Sequence, residues 1–93
     1  MDRVAAIRER LGKLAPQRLD IVDDSQQHVG HAGAASGGGH FSVLIVAPGF
    51  DGCSGIERHR MVYQALADLM PREIHALSIK ALTPDELQSQ RDA

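Results

Sequence analysis

Hydrophobic residues near the start of the chain recur at spacings of three and four. The stripe consists of Val4, Ile7, Leu11 and Leu14. This period is typical of a helix with one buried face, so we predict a helix over residues 2–14 that ends before Pro16. The hydrophobic segment from Leu19 to Val22 then predicts a short strand.

Residues 40–47 alternate in polarity, as expected of a second strand. Phe41, Val43 and Ile45 share one face, while the opposite face is only partly nonpolar. This pattern favours a central strand with some cover on both sides. A third strand is predicted over residues 73–81.

Two capping-box patterns predict helix starts. The first, Ser54 with Glu57, begins a helix that we expect to extend to about Met70, and Thr83 with Glu86 begins a short final helix. The nonpolar face predicted for the longer helix consists of Ile56, Tyr63, Leu66 and Met70, flanked by Val62 and Leu69.

The predicted order is helix, strand, strand, helix, strand, helix. A helical crossover favours parallel pairing of the second and third strands, whereas the first two strands can pair antiparallel. The expected fold class is therefore α+β, a three-stranded mixed sheet with helices packed on one face.

Length and composition predict one domain over residues 1–93. Within it we expect a flexible Gly/His-rich loop over residues 24–39, which holds five glycines, and a frayed end over residues 88–93. The net charge is −2, which argues against tight binding to a phosphate backbone. A single cysteine and no long nonpolar run favour a cytoplasmic protein without a membrane segment.

Histidines are the main candidates for chemistry. His75 begins the third strand on the face predicted for Leu77 and Ile79, where it is either a rim histidine bonded to a carbonyl or a metal ligand. His28 and His31 lie in the long loop, where they are either solvated or metal-ligating. Two histidines from separate segments suggest half of a metal site that a partner completes.

The other candidates have simpler explanations. We expect His40 to order the end of the loop or to face solvent, and His59 to be a structural histidine between Ile56 and Tyr63. Cys53 is expected to be a partly exposed thiol. No catalytic triad, phosphate loop, dinucleotide fingerprint or paired-cysteine zinc pattern occurs, so we predict that the chain is not an enzyme.

Arg58 and Arg60 bracket His59 in a compact basic cluster after the turn that contains Gly52. Such a cluster can contact a phosphate backbone or an acidic partner, or it can be a solvated pair of arginines around a packed histidine.

Three segments together resemble the signature of the BolA family. They are residues 50–54 (FDGCS), 58–66 (RHRMVYQAL) and 74–77 (IHAL), supported upstream by His28 and by the His40–Phe41 pair. The resemblance covers about residues 3–87 and implies a fold similar to a type II KH domain.

The resemblance also implies a partner and a cofactor. In BolA-like proteins a [2Fe-2S] cluster is bridged to a monothiol glutaredoxin, which supplies thiolates together with glutathione. Carried over to this sequence, His75 is one iron ligand and His28 the second, with His31 as its competitor. The isolated chain is then expected to hold no cluster and to be a monomer or weak homodimer.

Some members of the family are linked to the control of stress and morphology genes. The alternative function is therefore a DNA-binding transcriptional regulator, with Arg58, Arg60 and Gly52 on the contact surface.

Overall fold

The computed structural model describes residues 2–25 and 38–92. Within these ranges the chain forms three α-helices and three strands. In chain order they are α1 (Arg3–Leu11), β1 (Arg18–Asp23), β2 (Gly39–Val46), α2 (Gly55–Ala65), β3 (Ile74–Leu82) and α3 (Pro84–Asp92).

The three strands form one sheet in the order β1-β2-β3. β1 pairs antiparallel to β2, with Arg18 opposite Val46, and β2 pairs parallel to β3, with Val46 opposite Leu82. The predicted α+β fold with a three-stranded mixed sheet is confirmed.

The hydrophobic core lies between the helices and one face of the sheet. Alternation along β2 buries Phe41, Val43 and Ile45 toward the helices, whereas Ser42 and Leu44 remain half-buried on the opposite face. Because strand side chains alternate, each strand contributes one row to this core. The other fully buried members are Ile7, Leu11, Phe50, Val62, Leu66 and Ile74.

Helix α1 begins with a side-chain cap, since Asp2 accepts a hydrogen bond from the Ala5 amide at 3.0 Å. It buries Ile7 and Leu11, as the hydrophobic period predicts. The α-helix ends at Leu11 rather than continuing to residue 14, because the next three residues form a tighter 3-10 turn.

Helix α2 has the predicted capping box. The Glu57 amide donates to Ser54 Oγ at 3.1 Å, and the Ser54 amide donates to Glu57 Oε1 at 3.3 Å. The helix ends at Ala65, and a 3-10 turn over Ala67–Leu69 replaces the last predicted turn.

The nonpolar face predicted for α2 is partly wrong. Val62 and Leu66 are buried, but Ile56 is 68% exposed and Tyr63 is 39% exposed. His59, expected to be packed between those two residues, is exposed as well. The helix is rotated so that its core face contains Val62 and Leu66, and the stripe through Ile56 and Tyr63 faces outward.

Helix α3 also begins with a complete capping box. The Glu86 amide donates to Thr83 Oγ1 at 3.2 Å, and the Thr83 amide donates to Glu86 Oε1 at 2.8 Å. The helix continues to Asp92. No helix in the described part of the chain is long and apolar enough to cross a membrane.

Candidate functional site

The start of β3 contains an irregularity centred on His75. Gly39 pairs with Ile74, and the next residue of β2, His40, pairs with Ala76. His75 is therefore the extra residue of a β-bulge, opposite no residue of β2.

The bulge changes the direction of the His75 side chain. Ile74 is fully buried, and Leu77 and Ile79 pack against the core, whereas His75 is exposed. The prediction that His75 shares a face with Leu77 and Ile79 is wrong, because the extra residue shifts the alternation by one position. His75 does lie on the rim of the sheet, as expected.

A glycine is required at position 38, where the chain directly before β2 passes His75. A Cβ atom built on Gly38 would lie 2.7 Å from the His75 Cβ and 3.3 Å from the Arg72 carbonyl oxygen. Carbon atoms do not approach this closely without repulsion. Gly38 therefore allows the segment before β2 to lie directly against the bulge.

His40 is the second histidine of the site. Its ring centroid lies 5.5 Å from that of His75, and the two rings are tilted by 44°. The His40 amide donates to Ser25 Oγ at 3.0 Å, and its carbonyl oxygen accepts from the Asp24 amide at 2.7 Å. The Asp24 carboxylate also accepts a hydrogen bond from the Ser42 hydroxyl, which further fixes the end of β1 against the start of β2.

His40 orders the loop end through its backbone, but its ring adjoins His75 rather than facing solvent alone. Sequence reasoning missed this proximity. The signal was present, because both histidines stand at the starts of two strands predicted to be parallel neighbours. The starts of parallel strands meet at the same edge of a sheet.

The loop histidines lie outside the described residues. His28 and His31 both fall within residues 26–37, so their predicted roles as iron ligands stay predictions. Among the described residues, no group of three or more His, Cys, Asp or Glu side chains could hold a metal ion.

The side chain of Arg58 is largely buried, unlike Arg60 and Gly52, the other two residues proposed to contact a partner. Its side chain is only 13% exposed, and its guanidinium group lies 5.9 Å from the centroid of the Phe50 ring. It donates to the carbonyl oxygens of Cys53 at 3.1 Å and Ala81 at 3.0 Å. Two further donors contact the Glu86 carboxylate at 2.5 and 3.2 Å.

These contacts define what we call the Arg58 clamp, consisting of Arg58, Glu86 and the Ala81 carbonyl. The hydrogen bond from Arg58 is the main cause that lowers the pKa of Glu86 to about 2, and the Thr83 amide contributes next. The same carboxylate raises the pKa of Arg58. The clamp joins α2, β3 and α3.

The remaining contact candidates are on the surface. Arg60 and Gly52 are exposed, and Gly52 has a φ of 77°, which favours glycine in this turn. Cys53 is half-buried, with its Sγ 3.7 Å from the Gly49 carbonyl oxygen. Thus Arg60, and not Arg58, has a side chain open to a partner.

The comparisons with known proteins agree with the fold. The family model described as BolA-like protein matches residues 11–86. The chain belongs to the BolA family. It is 43% identical over 93 residues to "Protein BOLA1, chloroplastic" of Arabidopsis thaliana, covering 96% of this chain and 58% of that protein.

Two further BolA relatives match over most of their length. The "DNA-binding transcriptional regulator BolA" of Escherichia coli (strain K12) is 35% identical over 91 residues, covering 92% of this chain and 84% of that protein. The solved BolA domain of SufE1 from Arabidopsis thaliana is 43% identical, with a TM-score of 0.79, and covers 92% of this chain and 96% of that one.

The chain spans little more than half of the chloroplastic BolA relative. That relative's name places it in an organelle, so the cytoplasmic location expected for this chain stays a prediction.

Proposed function

We propose that this BolA-like chain is an iron–sulfur accessory protein that forms a [2Fe-2S]-bridged heterodimer with a monothiol glutaredoxin. In this role it takes part in cluster trafficking or in iron and redox regulation. The observation that carries the proposal is the exposed His75, which a bulge directs outward at the rim of the sheet beside a second imidazole. Membership of the BolA family supports it.

The donor set fits the proposed cluster. Imidazole nitrogens replace two thiolates on one iron atom of Rieske [2Fe-2S] centres, and this replacement raises the reduction potential. In the heterodimer, the glutaredoxin and glutathione would supply thiolates to the other iron. His75 would bind the nearer iron, and the family resemblance assigns the second ligand to His28, with His31 as competitor.

The bulge gives His75 the properties that such a ligand needs. Its side chain is exposed, so a partner can approach it, while Ile74 on one side and Leu77 on the other are held by the core. A ligand held by packed neighbours loses less conformational freedom when it binds.

The direct test is cluster assembly with a monothiol glutaredoxin, glutathione, iron and sulfide. We expect His75→Ala to change the visible absorption and circular dichroism of the bridged cluster and to shorten its lifetime. His59→Ala is the matched control, since it removes an exposed imidazole from α2. A spectrum and lifetime unchanged by His75→Ala would refute the ligand assignment.

A second candidate function is DNA binding by a transcriptional regulator. It is favoured by the printed name of the Escherichia coli relative and by the exposed Arg60. The net charge of −2 and the engagement of Arg58 with Glu86 both weaken it.

Binding to duplex DNA, measured across a range of salt concentrations, tests this candidate. If Arg60 contacts a phosphate, Arg60→Ala lowers affinity and reduces the slope of log affinity against log salt by about 1. Absence of binding at low salt would exclude the candidate. Arg58→Ala is unsuitable for this test, because it also breaks the Arg58 clamp.

A further inference from the structure

We propose that the outer face of the sheet, on the side away from the core, binds a second copy of this chain in a symmetric dimer. The feature that carries the proposal is a row of three residues across the strands. In this row Asp20 of β1 and Lys80 of β3 flank Leu44 of β2. Neither His75 nor His40 belongs to the row, so this contact is separate from the proposed cluster site.

The outer face of the sheet exposes nonpolar residues around Leu44. Leu44 lies between the core residues Val43 and Ile45, so its side chain points away from the core. Leu44 is only half-buried, and Val22 is 54% exposed. Moreover, β2 and β3 pair in parallel, and parallel strand pairs occur mostly in sheets that are covered on both faces. The centre of this face is therefore suited to a partner.

The outer-face residues around Leu44 form one open groove. The two charged side chains lie at its opposite edges, with nonpolar residues and serines between them. Its outer-face lining consists of Asp20, Val22, Ser42, Leu44, Ser78 and Lys80. Because the serines are small, a second sheet can approach the centre of the groove.

The charges at the two edges fit a twofold axis. Adjacent strands lie about 4.8 Å apart, so Asp20 and Lys80 stand about 10 Å from each other on either side of Leu44. When a second sheet is stacked on this face by a twofold axis along β2, its β1 lies over β3 of the first copy. Asp20 of each copy then faces Lys80 of the other, and Leu44 meets Leu44. A symmetric dimer requires this kind of self-complementary surface.

Both charged groups are able to form these ion pairs. Arg18 contacts the Asp20 carboxylate within β1, with its Nε and Nη2 atoms 3.0 and 2.8 Å from Oδ2. Oδ1 can therefore accept a hydrogen bond from a second donor. Lys80 is exposed, and its long side chain can reach toward a sheet stacked at the usual distance of about 10 Å.

The size of the face limits the affinity of the dimer. Three strands span only about 15 Å across the sheet. A contact of this width falls well short of the roughly 800 Å² per partner that a standard stable complex buries. We therefore expect a weak dimer that forms at high protein concentration and dissociates on dilution.

Exchange of the two charges tests the symmetric contact. Sedimentation equilibrium at protein concentrations from about 20 μM to about 1 mM covers the range of weak association. We expect the average mass of the original chain to rise with concentration. Asp20→Lys and Lys80→Asp should each stay monomeric, because either change places like charges opposite each other.

Two combinations should restore the dimer. An equimolar mixture of the Asp20→Lys and Lys80→Asp chains regains opposite charges at both contacts, and so does the double variant Asp20→Lys/Lys80→Asp. Asp51→Lys and Lys13→Asp are the matched controls, since they reverse exposed charges outside the sheet. Both controls should associate like the original chain.

A chain that stays monomeric at all these concentrations would overturn the proposal, as would single variants that associate as strongly as the original. Failure of both combinations to associate would also contradict the symmetric contact. Dilution of the ¹⁵N-labelled original chain gives a measurement that needs no variant. We expect amide shifts to depend on concentration around Val22, Leu44 and Ser78, whereas changes confined to the helices would refute the contact.

Discussion

At the scale of single residues, the sequence alone does not distinguish an arginine that is bound within the fold from one that is exposed. Arg58 and Arg60 are two positions apart on α2, yet Arg58 is 13% exposed and bound to Glu86, whereas Arg60 is exposed. A helix turns by about 100° per residue, so positions two apart lie on nearly opposite faces. The difference in environment therefore follows from helix geometry alone.

The first prediction concerns this pair of arginines. Arg58→Lys should lower the melting temperature, because a lysine has no planar fork with which to bind Glu86 and two carbonyl oxygens at once. Arg60→Lys, the matched control, should shift it by no more than about 3 °C, as is usual for exposed sites in a domain of this size. Thermal unfolding followed by circular dichroism measures both, and equal shifts would argue against the clamp.

The second prediction concerns the pH dependence of stability. The pKa of Glu86 falls from 4.5 to about 2 on folding, so its ionised form favours the folded state above pH 4.5. This contribution is lost as the pH falls from 4.5 to about 2.

Glu86→Gln is expected to reduce the melting temperature at neutral pH and to converge with the original chain toward pH 2. Melting curves of both proteins at a series of pH values measure this, with Asp85→Asn as a control for the general effect of removing a neighbouring carboxylate. A constant difference across the whole range would contradict the assignment.

At the scale of elements, the helix starts and the strand pairing were predicted correctly, whereas the buried face of α2 and the bulge in β3 were not. Both capping boxes form as predicted, because they depend on residues only three apart. The core face of α2 was misassigned because Ile56 and Val62 are equally nonpolar, and only packing against the sheet decides between them. The bulge at His75 also has no local signal, since it depends on how β3 pairs with β2.

The third prediction tests the corrected face of α2. Leu66→Ala removes a fully buried side chain and should cost about 2–5 kcal/mol of unfolding free energy. Ile56→Ala, at a position 68% exposed, should change it by about 0.5 kcal/mol or less. Urea denaturation gives both values. A large loss for Ile56→Ala would restore the face predicted from sequence.

At the scale of the whole molecule, the histidine site and the Arg58 clamp lie at opposite ends of β3. Its first residues hold the histidine site, and its last residues accept the Arg58 clamp through Ala81. His75 and Ala81 are six residues apart in a strand, which corresponds to about 20 Å. Substitutions at the two ends should therefore act independently.

The fourth prediction concerns the isolated chain. If the cluster is shared, reconstitution with iron and sulfide should give a [2Fe-2S] spectrum only when both glutaredoxin and glutathione are present. Visible circular dichroism together with size-exclusion chromatography measures the cluster and the heterodimer. A stable, stoichiometric cluster on the chain alone would contradict the proposal of a shared site.

The bulge also allows the side chain at position 75 to change independently of the buried residues of β3. Because the extra residue falls between Ile74 and Leu77, the hydrophobic residues on either side keep their buried positions whatever stands at position 75. The identity of this side chain is thereby uncoupled from the stability of the strand. A lineage could exchange the ligand, or lose it, without having to rebuild the core.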